Sequence, residues 1–341
     1  MLEVGARSQE GGKTMVDLST KYMGMTLKNP VIVGSSDLAN SVQGIKDLEA
    51  SGAAAVVLKS VFEEEIAFEY EDVLKEASAQ GVNLEQFDYY DFHIRGKKLD
   101  EYTDLIQESK KRVSIPLIAS VNCVYSHEWT AFAKRLQTAG ADALELNMFF
   151  LPSDFGRTSE EKEKAYFQIV EKIQKEVTIP IALKISYYFS NLGPMIQKLS
   201  ETGIRGLVLF NRFFSPDFDI DTMEVTPTNI LSSPSDLAIS LRWIAIMAER
   251  VSCDLAASTG VHDGAALIKQ ILAGASAVQV VSTLYKNGNR RIGEMLKTLE
   301  DWMAKKGYGS LADFRGKMSQ AKSSNPAAYE RMQFMKYFGS R

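Results

Sequence analysis

SGAAAVVLKS at 51 to 60, AGADALELN at 139 to 147, TGIRGLVLFN at 202 to 211 and AGASAVQVVST at 273 to 283 are four copies of one phrase. In each copy a helix-compatible stretch stops at a Gly and a short β-rich run follows. Gly closes a helix in the left-handed conformation at little steric cost. The apolar run after it suits a strand buried on both faces, the habit of parallel sheets. Each copy therefore reads as an αβ junction.

Four more short apolar runs lie between these copies: NPVIVGSS (29 to 36), IPLIASVN (115 to 122), IPIALKIS (179 to 186) and CDLAASTG (253 to 260). Three of them start at or just after a Pro, which cannot continue a preceding helix but is tolerated at a strand's first residue. Amphipathic stretches such as SVQGIKDLEA and EEKEKAYFQIVEKIQKEV separate the runs. Strict alternation of strand and helix implies a parallel sheet with right-handed crossovers, and eight such units close into a (β/α)₈ TIM barrel, an α/β fold in a single domain. A doubly wound open sheet is the alternative topology. Two connections are too long for ordinary loops and read as rim insertions, one after strand 2 at 61 to 98 and one after strand 6 at 212 to 235.

Composition narrows the function classes. The chain has 341 residues, 45% of them hydrophobic and 24% charged, enough to bury a large core. A formal net charge of -4 with both signs scattered leaves no basic stripe for nucleic acid. Cys123 and Cys253 are too few and too far apart for a disulfide framework or a zinc site, which points to a reducing cytoplasm. No stretch carries eighteen uninterrupted apolar residues, so no membrane span is expected. Residues 1–14, polar and Gly-rich, read as a flexible N-terminal tail. The barrel is expected over 15–307, followed over 308–341 by a C-terminal helical extension whose Met and aromatic residues suit covering the barrel's bottom or meeting a partner.

Barrel enzymes carry their chemistry at the C-terminal ends of strands. Those positions are Gly34, Ser35 and Ser36; Lys59 and Ser60; Asn122; Asn147; Lys184 and Ser186; Asn211; Ser258, Thr259 and Gly260; and Ser282 and Thr283. Capping or snorkelling accounts for any one of them alone, but as a set they form an electropositive, hydrogen-bonding ring. The small-residue turns STGVHDGAALIKQ after strand 7 and VVSTLYKNG after strand 8 run into helices, and such turns hold a phosphate in barrels. Lys59 and Lys184 near a phosphate suit either of two chemistries. One is a Schiff-base lyase or synthase acting on a phosphosugar. The other is flavin chemistry, in which a fixed cation stabilises the reduced ring.

At these residues the sequence resembles the dihydroorotate dehydrogenase family, in particular its cytoplasmic class 1 branch, from about Leu18 to Leu299. The similar elements are MGMTLKNPVIVGSSD, ALELN, ALKIS, VLFN, the STGV turn and the VVST end. The resemblance implies an FMN-dependent oxidoreductase acting on CH–CH bonds, typically of dihydroorotate to orotate in pyrimidine biosynthesis, with a small anionic substrate and a homodimeric assembly. By the same resemblance Gly34 and Ser35 border the isoalloxazine and Lys59 and Ser60 lie against flavin and substrate. Asn122 and Asn147 bind polar atoms of both, Lys184 lies near the flavin N1 edge, Asn211 faces the substrate, and Thr259, Gly260, Ser282 and Thr283 hold the phosphate. A third reading is a flavin-binding subunit without its own turnover that passes electrons to a partner; with no Fe–S cysteine cluster in the chain, such a relay needs a separate electron-transfer protein.

Three departures from the family pattern bear on substrate. Where the class 1 enzymes have Asn-x-Ser-Cys-Pro-Asn, with Cys as the base, this chain reads Asn147-Met148-Phe149-Phe150-Leu151-Pro152. Phe150 takes no proton. The loop after strand 2 lacks the Asn-Ser-x-Gly-x-x-Asn run and offers only Asn83, and the pair after strand 6 is Asn211-Arg212 rather than Asn-Ser or Asn-Thr. Candidate replacements for the base are Cys123, Tyr187, Tyr188 and His127; packing or a rim wall accounts equally for the Cys and the two Tyr residues, and surface capping for the His. His93 and His262 lack a metal-ligand partner at a telling spacing. Arg212 is placed either to bind a substrate carboxylate in bidentate fashion or to pair with Asp217 or Asp219.

Overall fold

The computed structural model describes residues 16–60, 87–122, 129–148, 151, 153, 155–156, 158–212, 215–228 and 230–330. Eight strands close into a parallel barrel: β1 (Val31–Val33), β2 (Ala55–Val57), β3 (Leu117–Asn122), β4 (Ala143–Met148), β5 (Ile181–Ile185), β6 (Gly206–Leu209), β7 (Asp254–Ala257) and β8 (Ala277–Val280). Each strand pairs with its sequence neighbours, and β8 returns to β1 through Val278 opposite Val31. The open-sheet alternative is thereby excluded.

Helices cover the outside: α1 (Val42–Ala50), α2 (Phe87–Lys110), α3 (Trp129–Ala139), α4 (Ser159–Glu176), α5 (Leu192–Ser200), α6 (Leu237–Met247), α7 (Gly264–Ala273), α8 (Ser282–Asn287) and α9 (Arg291–Lys306). Their starts follow local capping chemistry. Ser41 accepts from Gly44 N, Thr158 and Glu161 form a reciprocal capping box, and Asp263 accepts from Ala266 N. The junction glycines 52, 140, 203 and 274 all have positive φ, as the repeated phrase requires. Helix α2 starts at Phe87, inside the stretch assigned to the first insertion; Gly96 and the lack of a clean apolar stripe over 87 to 98 hide that continuity from a reading by periodicity. Residues 61–86, Asn83 among them, lie outside the described part.

The strands alternate strictly. Val31, Val33, Val56, Leu117, Leu144, Leu183, Leu207 and Val278 face the helices, while Ile32, Ala55, Val57, Ile118, Ala143, Ala182, Val208, Ala256 and Ala277 face inward. The inward set is small, and the space it leaves is filled from below by a hairpin preceding β1, Thr20–Tyr22 paired with Met25–Leu27. Its two-residue turn, Met23 and Gly24, has positive φ at both positions, the type I′ pattern that suits a tight hairpin. Tyr22 and Met23 enter the barrel floor, where Met23 N donates to Asp254 Oδ2 at 2.8 Å.

The second insertion carries a two-stranded hairpin, Ser215–Asp219 with Glu224–Thr228, whose register sets Phe218 opposite Val225 on one face and Asp219 opposite Glu224 on the other. Beyond α9 the chain stays packed on the barrel. Leu311 and Phe314 are buried, Trp302, Tyr308 and Phe314 form an aromatic cluster, and Met318 N donates to Leu272 O. Short 3₁₀ turns (Leu311–Asp313, Gln320–Lys322) and the helix Ala327–Glu330 make up this segment, and 331–341 lie outside the described part, as does the tail before Val16. No helix among the described residues is long and apolar enough to cross a membrane.

Candidate active site

Alternation continues past the apolar middle of each strand, and the inward positions turn polar toward the C-terminal rim. Register places Asn122, Asn147 and Lys184 side by side on β3, β4 and β5, with Ser120 and Glu145 one layer below. A cavity of about 260 Å³ opens at Lys184, lined by Ser35, Lys184, Asn211, Arg212, Ser258, Thr259, Gly260, Gln279 and Ser282 among others, while Ser60, Asn122 and Asn147 lie outside its lining. Ends of β1, β5, β6, β7 and β8 thus converge on one space.

The β1 to β3 wall is a chain of hydroxyls. Ser60 N donates to Ser35 Oγ at 2.9 Å, the Ser35 and Ser60 hydroxyls are 3.1 Å apart, and Ser60 Oγ lies 2.6 Å from Ser120 Oγ. Gly34 packs closely beside it: a Cβ there would sit 3.0 Å from Val281 Cγ2 and 3.2 Å from Gln279 Oε1, tighter than ordinary van der Waals contact. Buried Asn122 leaves its Oδ1 without a hydrogen-bond partner, an acceptor that a ligand donor satisfies. Lys59 goes elsewhere: its ammonium is 3.1 Å from Asp37 Oδ1 at the open rim, and it does not line this cavity.

On the opposite wall Asn211 Nδ2 donates to Asn147 Oδ1 at 2.8 Å and Asn211 Oδ1 accepts from Arg212 N at 2.9 Å, so the two Asn side chains hold one another. Arg212 Nη1 donates to Ile230 O at 2.5 Å, and its Nε is 3.9 Å from Asp236 Oδ2. The carboxylate beside Arg212 is therefore Asp236, brought there by the turn before α6, and not Asp217 or Asp219, which lie on the projecting hairpin. A second space of about 120 Å³ adjoins the first, between Arg212, Asp236, Tyr187 and Tyr188. Tyr187 and Tyr188 lie 4.7 Å apart with their rings tilted by 30°, and Tyr187 meets Phe210 edge-on at 5.8 Å. The hydrogen bond with Tyr188, together with partial burial, raises the Tyr187 phenol above its ordinary value, so at neutral pH it is a neutral hydroxyl, able to donate and to accept.

Loops after β7 and β8 form the far end. Thr259 holds φ +75°, a strained value for a β-branched residue, with its hydroxyl donating to Phe210 O at 3.1 Å. Gly260 follows at φ +79°, and a Cβ on it would lie 2.1 Å from Leu237 N, so only Gly fits under α6. Ser282 Oγ accepts from Ser232 N at 2.9 Å and keeps its own proton free to donate. Thr283 is fully buried and donates to His262 O at 2.9 Å, which makes it a brace behind the cavity rather than part of its lining. The start of α7, expected to offer free amides, has one of them taken by Asp263. The start of α8, at Val281 and Ser282, is the one that lines the cavity.

Sequence reasoning missed several residues that the fold brings in. Glu145 and Gln279 are polar positions inside the apolar runs ALELN and AVQVV, a signal that was present. Ser232, Asp236 and the Ser232–His262 contact at 3.0 Å come from loop 230 to 236 and the turn before α7, where no local pattern marks them. Cys123, His127, Phe149 and Phe150 lie outside the described residues, as does the side chain of His93.

A sequence profile of the dihydroorotate dehydrogenase family matches residues 17–303. The chain is 26% identical over 314 residues to the catalytic subunit of dihydroorotate dehydrogenase B (NAD(+)) from Thermoplasma volcanium, covering 89% of this chain and 98% of that protein. It is 24% identical over 325 residues to dihydroorotate dehydrogenase A (fumarate) of Lactococcus lactis subsp. lactis, covering 88% and 99%. The crystal structure of dihydroorotate dehydrogenase from Eimeria tenella matches with a TM-score of 0.63 at 16% identity, over 92% of this chain and 90% of that one, which agrees with the barrel. With the profile spanning nearly the whole barrel, this chain belongs to the dihydroorotate dehydrogenase family.

Proposed function

We propose that the chain is an FMN-dependent oxidoreductase that oxidises dihydroorotate to orotate, or exchanges hydride with a closely related small anion. The observation that carries this reading is the single cavity in which the strand ends of β1, β5, β6, β7 and β8 meet. Its lining divides by chemistry into a polar wall, a cationic floor and a small-residue end. The residues suit the cofactor. Thr259, Gly260 and Ser282 supply backbone amides and a hydroxyl to a phosphate, braced from behind by Thr283. Gly34 leaves room for a flat ring, and Ser35, Ser60, Asn122, Asn147 and Lys184 offer donors and acceptors around its polar edge. Bound flavin supplies the two-electron acceptor that no side chain of this protein provides.

The substrate is proposed to lie over Asn211, with its negative group on Arg212, whose remaining guanidinium N–H groups face the adjoining space. Tyr187 closes that space and donates a hydrogen bond. In the sequence Phe150 takes the position of the family's Cys base, so the C5 proton is proposed to leave to another group. Lys59, ion-paired at the rim, guards the entrance. The Schiff-base reading loses ground because each lysine is engaged with a carboxylate, Lys59 with Asp37 and Lys184 with Glu145. Family membership favours the oxidoreductase as well.

Residues 15–307 are proposed as the flavin-binding unit and 308–341 as an extension of it, in a cytoplasmic homodimer whose electrons pass to a separate electron-transfer protein. Relatives named as catalytic subunits support that last step. Anaerobic mixing of the flavin-loaded protein with dihydroorotate tests the activity: loss of the oxidised flavin absorption is expected. Reduction by dithionite but not by dihydroorotate would remove the substrate and leave the flavin.

A further inference from the structure

We infer that Glu145, acting through Gln279 and Lys184, sets the reduction potential of the flavin, as a buried counter-charge beneath the cofactor site. The inference rests on the flavin reading above and goes beyond it by giving a role to a buried carboxylate that the reaction does not otherwise use.

Three side chains from three strands carry it. Lys184 on β5 donates from Nζ to Gln279 Oε1 at 2.8 Å and lies 3.5 Å from Glu145 Oε1. The amide of Gln279, on β8, donates from its other end, Nε2, to Glu145 Oε2. The amide orientation is therefore dictated: turned over, it would put N–H against ammonium and oxygen against carboxylate. Glu145 is 1% exposed, Gln279 2% and Lys184 7%. Lys184 and Gln279 line the cavity; Glu145 does not, and its Oε1 has no hydrogen bond.

A carboxylate sealed in a barrel is costly unless a cation is held beside it. An ammonium needed only to bind an anionic group would be served better without it. What Glu145 does is cancel part of the Lys184 charge as felt from the cavity. Two electrons and one proton entering the bound ring leave one negative charge on it, and a fixed cation at its edge stabilises that charge. Tying the cation to Glu145 from below weakens this stabilisation and lowers the potential. Glu145 touches neither cofactor nor substrate in this arrangement, so it is a positioning residue.

The test is the midpoint potential of the flavin-loaded protein, read against a reference dye with flavin content measured alongside. Glu145→Gln is isosteric and removes the charge. The reduction equilibrium is expected to move about tenfold or more toward reduced flavin, about 30 mV for a two-electron couple. Glu145→Asp keeps the charge and is expected to stay nearer the wild-type value than Glu145→Gln. Should Glu145→Gln not fold, Gln279→Met decides: without the bridging amide, Lys184 draws onto Glu145 and the equilibrium moves the other way, toward oxidised flavin. A flavin-replete variant of either kind with an unmoved potential overturns the inference alone. A wild-type protein that takes up no flavin overturns the functional reading and this inference with it.

Discussion

His262 shows how one residue ties the rim loops together. Its ring Nε2 meets Ser232 Oγ at 3.0 Å, and its carbonyl accepts from Thr283 Oγ1 and Arg291 Nε. Burial, with the Lys286 ammonium nearby, pushes the imidazole below its ordinary pKa of 6.5. The folded state therefore prefers the neutral ring, while the unfolded chain binds the proton more readily. The stabilisation is complete above pH about 6.5 and is lost as pH falls through the lowered folded value. Urea unfolding at pH 7 and pH 5 should show the wild type losing more stability over that interval than His262→Gln; parallel losses would clear His262 of the effect. Nothing in VHDGA marks this His in the sequence. Its partners arrive from loop 230 to 236 and from α8 and α9, so its role depends on distant closure.

At the scale of elements, the hairpin plug and the barrel floor are fitted to each other. A Cβ on Gly206 of β6 would sit 2.9 Å from Tyr22 Oη and 3.1 Å from Met23 Cγ. Tyr22 itself is buried, and its hydroxyl has no hydrogen-bond partner. Removing that hydroxyl relieves a desolvated polar group, so Tyr22→Phe should stabilise the fold by about 1 kcal/mol. Gly206→Ala should cost about 1–3 kcal/mol through overpacking. The double variant should recover more than additivity allows, because the atom nearest the new methyl is the one removed. Chemical denaturation of the four proteins measures the coupling, and strict additivity would mean that plug and β6 do not press on each other. Neither the hairpin at Met23-Gly24 nor its fit to the small inward residues was legible in the sequence, where no strand is read before the run at 29 to 36. Whether Ala55, Ala143, Ala182 and Ala256 surround a void or a plug depends on where a segment far from most of them in sequence ends up.

For the whole molecule, a ligand that bridges five strand ends should stiffen the barrel as a unit. FMN at about one hundred times its Kd should add about 2.7 kcal/mol to the unfolding free energy. Riboflavin at the same concentration, lacking the phosphate that is proposed to engage Thr259, Gly260 and Ser282, should add clearly less through its weaker binding. Thermal melts of the stripped protein with each compound measure the difference, and equal shifts would place the phosphate outside the loops after β7 and β8.

By itself the sequence determined the barrel and the set of polar strand ends, since both are written in local terms. Gly ends a helix where φ turns positive, Pro opens a strand, and period-two alternation carries side chains inward wherever the strand is placed. Closure decided the rest. Lys59 and Lys184 look alike in VVLKS and IALKIS, yet one pairs with Asp37 at the rim and the other with Gln279 and Glu145 inside. Asn122 and Asn147 are twenty-five residues apart in the chain and adjacent in the sheet. Arg212 meets Asp236 rather than its neighbours Asp217 and Asp219, because the hairpin carries those two away from the site. Which polar groups share one cavity is a property of strand register and loop return, and neither is encoded within a single strand.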